Sequence, residues 1–262
     1  MSLAMSEAPA PSCPVGMNGF LGGRLRLRQP TSGHRCGTDA ILLAAAAPRD
    51  LSGLAVDAGA GVGGAGMALA VQRPNIRIAL LEKDPFLSAL ARENLAENGL
   101  LHRGFVSEAD LLSASSRAGA GLGDGSAALV VSNPPFLDPA RARLSPNVNK
   151  RMAHGMAAPG PAALSSWIKA MLAMAAQGGL AILIHRPEAL PIILETLSNR
   201  AGAVTVLPVH PRPSISASRI LVRARKGSHA PLAIAPPLFL HDGDQFTREA
   251  EALHRGEALI DW

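Results

Sequence analysis

The sequence predicts an α/β fold built on a doubly wound, mainly parallel sheet. From residue 53 onward, short apolar segments alternate with helical segments, which is the pattern of consecutive βα units. A glycine-rich stretch, Gly59–Gly64, lies between the first of these strands and its helix. A polar or acidic residue ends each of the first four strands, where ligands bind in folds of this class.

The first 50 residues predict an extension outside the repeating part of the chain. Residues 1–20 are rich in Ala, Pro and Ser, which predicts a disordered tail. Arg24–Arg28 alternates arginine with leucine, a pattern typical of an edge or hairpin strand. The apolar segment Ala40–Ala47 predicts a helix. We therefore expect residues 21–50 to form a short strand and helix that pack on the core.

Residues 51–262 predict one domain that carries the sheet, which suits a chain of 262 residues. The predicted strands are Leu54–Asp57, Ile76–Leu81, Gly104–Glu108, Ala127–Ser132, Gly179–His185, Val204–Pro208 and Ser218–Arg225. The predicted helices are Gly64–Gln72, Asp84–Asn98, Leu164–Gln177 and Pro187–Arg200. Gly119–Gly125 predicts a flexible loop, and residues 137–161 predict a long basic insertion.

Composition and charge indicate a globular chain and leave its partner open. Hydrophobic residues make up 48% and charged residues 17%. The net charge of +5 fits a polyanionic partner such as RNA, although arginine usage in a GC-rich genome explains it equally well. The candidate RNA contacts are Arg24, Arg26, Arg28, Arg141, Arg143, Lys150, Arg151, Arg219, Arg223 and Arg225.

Cysteine content and hydropathy exclude several classes of protein. Cys13 and Cys36 are too few for a disulfide framework or a four-ligand zinc site, so we expect no metal. We find no pattern of a signal peptide and no apolar segment long enough to span a membrane. The sequence therefore predicts a cytoplasmic protein that does not bind a membrane.

The segment after the first strand has the composition of a ligand-binding turn. Gly59, Gly61 and Gly63 allow a tight turn and a close approach of a ligand to the amides at the start of the next helix. Gly59, Gly61 and Gly64 also satisfy G-x-G-x-x-G, which indicates a nucleotide without choosing the cofactor. A carboxylate at the mouth of this turn repels a pyrophosphate but suits a cationic ligand. Asp57 therefore favours S-adenosylmethionine over NAD.

Two further acidic residues end the next two strands. Glu82 comes about 20 residues after the turn, where a carboxylate accepts hydrogen bonds from ribose hydroxyls. Asp110 can accept from an adenine amino group while Leu111 packs against the ring. Asp110 alone is weak evidence, because Asp is common at strand ends, but together with Asp57 and Glu82 it gives three carboxylates at one edge of the sheet.

The fourth strand leads into Asn133-Pro134-Pro135-Phe136. Two consecutive prolines fix two φ angles and restrict the residue before each of them, so the segment is stiff. The Asn133 side-chain oxygen and the Pro134 carbonyl can then act as two rigid acceptors beside the flat ring of Phe136. Such an arrangement suits a planar group that carries an NH2. By itself the motif is equally consistent with a stiff βα loop.

These motifs occur together in one known family. In this order they resemble the class I S-adenosylmethionine-dependent methyltransferases: Asp57-x-Gly59-x-Gly61-x-Gly63, Glu82, Asp110 and Asn133-Pro134-Pro135-Phe136. The proline motif is similar to that of the family members that methylate amino groups. The resemblance covers about residues 53–185 and implies a Rossmann-like, seven-stranded sheet.

The segment Gly37–Leu43 narrows this resemblance. It is similar to the Gly-Thr-Asp helix start that precedes the first motif in the bacterial tRNA(Val) adenine-N6 methyltransferase family. Thr38 or Asp39 would be the N-cap of that helix. The family commonly has Tyr as the last residue of the proline motif, so Phe136 departs from its pattern while keeping a stacking face.

The resemblance implies a set of site residues. For the cofactor S-adenosylmethionine these are Thr38, Asp39, Asp57, Gly59, Gly61, Gly63, Glu82, Lys83, Asp110, Leu111 and Asn133. For catalysis they are Asn133, Pro134, Pro135 and Phe136. The implied reaction is direct methyl transfer to an amine, whose hydrogens Asn133 and Pro134 accept while Phe136 stacks on the base.

The substrate implied is adenine N6 in tRNA. The same chemistry applies to guanine N2 in rRNA or to a protein glutamine amide. Two other classes are an NAD-dependent oxidoreductase and a non-catalytic RNA-binding module. A chain without tyrosine cannot supply the Tyr-x-x-x-Lys pair that the oxidoreductase would need, and an intact Asn133 and Asp57 argue against the binding module. The oligomeric state stays open.

Overall fold

The computed structural model describes residues 14–32, 35–135 and 161–262. The longer strands are β1 (Val15–Phe20), β2 (Leu25–Pro30), β3 (Gly53–Ala58), β4 (Ile76–Glu82), β5 (Gly104–Glu108), β6 (Ala127–Ser132), β7 (Ala175–His185), β8 (Ala201–His210) and β9 (Arg219–Lys226). Four two-residue strands follow: β10 (Ala233–Ile234), β11 (Leu238–Phe239), β12 (His241–Asp242) and β13 (Gln245–Phe246). The helices are α1 (Thr38–Ala45), α2 (Gly64–Gln72), α3 (Pro85–Glu97), α4 (Ala114–Gly119), α5 (Pro161–Met174), α6 (Leu190–Leu197) and α7 (Arg248–Arg255).

The central sheet confirms the predicted α/β fold. Its long strands follow the order β8-β9-β7-β6-β3-β4-β5, and β10 and β11 add short pairings to β8. All neighbours in this sheet are parallel except β9, which is antiparallel to both β7 and β8. The chain runs from β3 outward to β5 and then returns to the other side of β3 with β6. This reversal leaves a crevice at the carboxyl ends of β3 and β6, where such folds bind ligands.

The two faces of the sheet pack against different helices because alternate residues of a strand point to opposite faces. Ala55 of β3 belongs to the buried cluster that includes residues of α1, α2, α3 and β2. Val56 and Ala58 belong to the cluster that includes α5 and α6. The same alternation directs the side chain of Asp57 toward α2.

The N-terminal hairpin and the start of α1 differ from the predictions made for them. Val15–Phe20 was expected to belong to a disordered tail, but it forms β1 and pairs antiparallel with β2. The extended partner that stabilises it is β2, and no local signal in residues 15–20 showed it. The N-cap of α1 is Gly37, with no side-chain cap, so the predicted capping by Thr38 or Asp39 is wrong.

Two asparagines bind the free edge of β2: Asn94 lies in the last turn of α3 and Asn98 is its C-cap. Asn94 accepts from the Arg28 amide at 2.7 Å and donates to the Arg28 carbonyl at 3.0 Å. One turn later, Asn98 does the same for the amide and carbonyl of Arg26, at 2.9 and 2.8 Å. Asn94 also donates to the carbonyl of Val62, within the glycine-rich turn, at 3.0 Å. These amides replace a neighbouring strand and join the hairpin to the turn.

Several helices begin or end at residues other than the predicted ones, and two helices were not predicted. The helix predicted to Gln177 ends at Met174, because Ala175 pairs with Ala127 and begins β7. The stretch predicted as one helix over Pro187–Arg200 is a 3-10 turn followed by α6. Helices α4 and α7 were not predicted, although Thr247 and Gly256 are ordinary start and stop signals for α7.

We expect Asn94→Ala to lower the free energy of unfolding by about 2–3 kcal/mol, because it leaves the part-buried backbone groups of Arg28 and the buried carbonyl of Val62 without partners. Urea denaturation measures this. Asn98→Ala is the matched control, since Asn98 also bonds both backbone groups of its β2 partner but is less buried. Equal losses in the two variants would contradict the bridging role of Asn94.

Candidate functional site

The glycine-rich turn lies at the carboxyl end of β3 and is anchored to β4. Gly59, Gly61 and Gly63 all have positive φ angles, of 75°, 56° and 89°. Side chains rarely adopt such angles, which explains the glycines. The amides of Gly59 and Ala60 donate to the carbonyl of Leu81 at 2.9 and 3.0 Å. The turn therefore keeps a fixed position relative to the end of β4.

Asp57 supports the turn from beneath, which corrects the predicted position of its carboxylate at the mouth. The side chain is only 2% exposed, and its Oδ2 accepts from the Gly66 amide of α2 at 2.8 Å. Gly63, the N-cap, offers no side chain for this purpose. Burial raises the pKa of Asp57 to about 7, opposed by the hydrogen bond from Gly66 and reinforced by the charge of Glu82.

Glu82 links the end of β4 to the turn. Its Oε2 accepts from the Gly61 amide at 2.8 Å. Its Oε1 accepts from the amides of Lys83 and Asp84, both at 2.9 Å. A carboxylate has about four acceptor positions, so capacity remains for a ligand hydroxyl. Glu82 and the turn therefore form one rigid unit at the predicted nucleoside position.

Asp110 and Leu111 follow β5 beside this unit. The Ala109 amide donates to the carbonyl of Glu82 at 3.1 Å, which brings Asp110 close to the end of β4. Asp110 Oδ1 accepts from the Leu112 amide at 2.9 Å, which fixes the carboxylate in its loop. Leu111 is buried in the cluster that includes α5, so it supports the loop from the core.

The proline motif follows β6, on the other side of β3. Asn133 is half-buried, and its Oδ1 is a buried oxygen with no hydrogen-bond partner among the residues that the structure describes. Pro134 is buried and Pro135 is exposed. Phe136 lies outside the described residues, so its predicted stacking role stays a prediction.

Thr38, Asp39 and Lys83 have other contacts. Thr38 Oγ1 bonds His254 Nε2 at 3.0 Å, and Asp39 Oδ2 pairs with Arg219 Nε at 2.9 Å. Both contacts join the start of α1 to C-terminal elements. Lys83 is exposed, and its amide bonds Glu82. The cofactor role of these three residues stays a prediction.

A cavity of about 630 Å³ lies between the N-terminal hairpin, the start of α1 and α7. Its lining includes Phe246, His254, Arg255, Arg35 and Thr38, and does not include Asp57, Glu82 or Asn133. Phe246 is 41% exposed and stacks on His254, with ring centroids 4.3 Å apart.

The candidate RNA arginines do not share one surface. Arg28 pairs with Glu97, Arg223 lies over the ring of Trp262, and Arg225 donates to the carbonyl of Gly178. Because β9 is antiparallel, Arg219 lies near the carboxyl edge and Arg225 lies toward the opposite one. Arg141, Arg143, Lys150 and Arg151 fall outside the described residues.

Membrane-spanning helices and metal-binding clusters are absent from the described ranges. No helix there has the length and apolarity needed to cross a membrane. No three His, Cys, Asp or Glu side chains in the same ranges form a group that could hold a metal ion.

Comparisons with known proteins agree with this geometry. Residues 32–160 match the model of the family described as "Methyltransferase small domain". The crystal structure of a predicted O-methyltransferase from Agrobacterium tumefaciens is 31% identical, with a TM-score of 0.70 over 85% of this chain and 98% of that one. The chain belongs to the class I S-adenosylmethionine-dependent methyltransferases. The cofactor of this methyltransferase is S-adenosylmethionine.

Two further proteins similar to this chain have names that state a substrate. The methyltransferase is 31% identical over 130 residues to the tRNA1(Val) (adenine(37)-N6)-methyltransferase of Erwinia tasmaniensis. That match spans about half of each chain, 49% of this one and 51% of the relative. A 16S rRNA N2 methyltransferase of T. thermophilus, solved with AdoMet and guanosine, shares the fold at a TM-score of 0.55 and 18% identity, over 84% of this chain and 52% of that one.

The residues at the carboxyl edge fit this cofactor. The glycines of the turn carry no side chains that would keep a ligand away, and the Glu82 carboxylate beside them has acceptor capacity left, as ribose hydroxyls would need. Asp110 lies next along the same edge, as adenine recognition would need. When bound, S-adenosylmethionine supplies an electrophilic methyl group on a positively charged sulfur.

The sequence motifs gave no indication that two further residues, Ser132 and Trp167, lie beside them. Ser132 Oγ donates to the carbonyl of Ala58 at 2.6 Å and accepts from Trp167 Nε1 at 2.9 Å. A Cβ on Gly59 would come within 2.6 Å of the Trp167 ring. The one available signal was that Trp167 is one of only two tryptophans in the chain.

We expect Asp57 to make stability fall as the pH rises from about 4 to about 7. An unfolded Asp titrates at about 3.9, whereas the folded carboxyl titrates at about 7. In this interval the folded state binds more protons than the unfolded state, so the free energy of unfolding decreases with pH. Asp57→Asn removes this contribution, and urea denaturation at pH 5 and pH 8 measures it.

From pH 5 to pH 8, the free energy of unfolding of Asp57→Asn should therefore increase relative to that of the wild type. Asp244→Asn is the control, since its side chain is 95% exposed. The same pH dependence for Asp57→Asn and wild type would contradict a raised pKa.

Proposed function

We propose that this protein methylates an exocyclic amino group, most specifically N6 of an adenine in tRNA. It uses S-adenosylmethionine as the methyl donor. The tRNA substrate is supported by the Erwinia relative, whose name states adenine N6 in tRNA1(Val). The cytoplasmic location stays a prediction from the sequence.

One observation carries the proposal of an amine. Asn133 Oδ1 is buried and has no hydrogen-bond partner within the described part of the chain. A buried acceptor without a partner costs about 1–3 kcal/mol, so its retention needs an explanation. An amine N–H bound there would satisfy it.

The neighbouring groups fit the same chemistry. Pro134 is buried and its ring carries no N–H, so only its carbonyl can contact a substrate through a backbone hydrogen bond. Two acceptors can hold the two hydrogens of a planar amine. As the methyl carbon bonds to the nitrogen, its bond to the sulfur of the donor breaks and a neutral thioether leaves. The positive charge passes to the nitrogen, where the two oxygens would stabilise it. The proton leaves after the C–N bond has formed, so these residues need not act as a strong base.

The amine is preferred over a hydroxyl for a geometric reason. A hydroxyl has one hydrogen and would occupy one of the two acceptors, whereas an NH2 occupies both. The similar Agrobacterium protein is named a predicted O-methyltransferase, so the product must be identified directly.

Guanine N2 in rRNA and a glutamine amide remain alternatives with the same acceptor chemistry. A non-catalytic RNA-binding module also remains, while membership of the methyltransferase family removes the case for NAD.

We expect Asn133→Ala to bind S-adenosylmethionine with unchanged affinity but to lose methylation by at least about 100-fold, the cost of removing one stabilising group. Asn133→Asp keeps acceptor oxygens and should retain more activity than the alanine variant. Calorimetry measures cofactor affinity, and transfer of labelled methyl to RNA measures the rate. Full activity of Asn133→Ala would refute the amine-binding role.

The product is identified by nucleoside mass spectrometry of tRNA incubated with the protein and labelled S-adenosylmethionine. We expect labelled N6-methyladenosine. Labelled N2-methylguanosine would replace adenine by guanine, and a ribose O-methyl product would refute the amine. Labelled glutamine in a protein extract, with unlabelled RNA, would move the substrate to protein.

A further inference from the structure

Trp167 contacts the glycine-rich turn and Ser132, the residue directly before the proline motif, without belonging to either motif. It lies half-buried on α5, and its Nε1–H donates to Ser132 Oγ at 2.9 Å. Gly59 has no room for a side chain on this face, because an added Cβ would come within 2.6 Å of Trp167 Cζ2. The ring therefore packs directly on the glycine-rich turn, while the N–H bonds the end of β6.

Ser132 transmits this contact to the neighbouring strand. The parallel register of β3 and β6 ends at the pair Asp57 and Val131. One residue further, the Ser132 hydroxyl donates its only hydrogen to the carbonyl of Ala58 at 2.6 Å. Its oxygen then accepts from Trp167. The chain of hydrogen bonds thus continues the pairing of the strands up to the residues directly before the two motifs.

We propose that Trp167 is a positioning residue for methyl transfer, which holds the glycine-rich turn and Asn133 at one fixed separation. This inference rests on the proposed function, because it assumes a methyl donor at the turn and an amine at Asn133. The reacting atoms must be aligned closely, so a small displacement between the two motifs reduces the rate more than it reduces binding.

The first test removes the hydrogen bond and keeps the ring. Trp167→Phe retains an aromatic ring near Gly59 but has no N–H. We expect kcat to fall by about tenfold or more. The Kd for S-adenosylmethionine and the KM for RNA should change by less than about threefold, because neither ligand depends on that bond. Ser132→Ala breaks the same link and should give a similar fall.

The double variant tests whether the two residues act as one unit. Trp167→Phe combined with Ser132→Ala should be no slower than the slower single variant, since both break the same chain of hydrogen bonds. Multiplication of the two rate losses would overturn the proposal.

Trp262 provides a matched control. Its indole N–H also donates to an oxygen, the Ala46 carbonyl at 2.7 Å, at a place away from the motifs. Trp262→Phe should lower the Tm by a similar amount and leave kcat unchanged. An equal fall of kcat in both tryptophan variants would show that the loss follows stability alone, against the proposal.

A final measurement needs no methyl acceptor. In Trp262→Phe, Trp167 is the only tryptophan, so its fluorescence reports the contact with the turn. We expect S-adenosylmethionine to change this emission. Binding seen by calorimetry without any change in emission would contradict the position of Trp167. A wild-type protein that methylates no amine would instead count against the proposed function, independently of this measurement.

Discussion

The hydrogen bond between the buried Asp57 carboxylate and the Gly66 amide is the interaction on which the site depends. It ties β3 to the first turn of α2, where amides without helical partners would otherwise be left unsatisfied. The turn between them can then consist almost entirely of small residues, since it needs no side chain of its own for support. Burial of the carboxylate costs stability, and its raised pKa reflects that cost.

From this anchor the other contacts extend in two directions. On one side, the Gly61 amide donates to the Glu82 carboxylate, and the Ala109 amide donates to the Glu82 carbonyl. These bonds hold the ends of β4 and β5 in place relative to the turn. On the other side, the Ser132 hydroxyl donates to the Ala58 carbonyl at the end of β3. This bond holds the start of the proline motif beside that strand. The methyl donor and the amine would thus be held by adjacent strands of one sheet. That arrangement needs no mobile element to bring the two motifs together.

The N-terminal extension is part of this arrangement rather than an addition to it. Asn94 joins the edge of β2 to Val62 in the turn, and Cys36 packs so closely on Gly64 that a side chain there would collide with its sulfur. Burial raises the pKa of the Cys36 thiol to about 12, reinforced by the charges of Asp57 and Asp39. This thiol therefore serves packing, because the reactive thiolate form is suppressed.

The sequence alone determined the fold class, the succession of the central strands and helices along the chain, and the motifs at the carboxyl ends of the strands. Those features depend on local patterns: hydrophobic period, glycine at positive φ and proline stiffness. Tertiary structure decided where the polar groups point. Asp57 turned inward because alternate residues of β3 face α2, and Thr38 and Asp39 found partners more than 170 residues away in the chain. Ser132 and Trp167 became part of the site through packing, which no spacing in the sequence records.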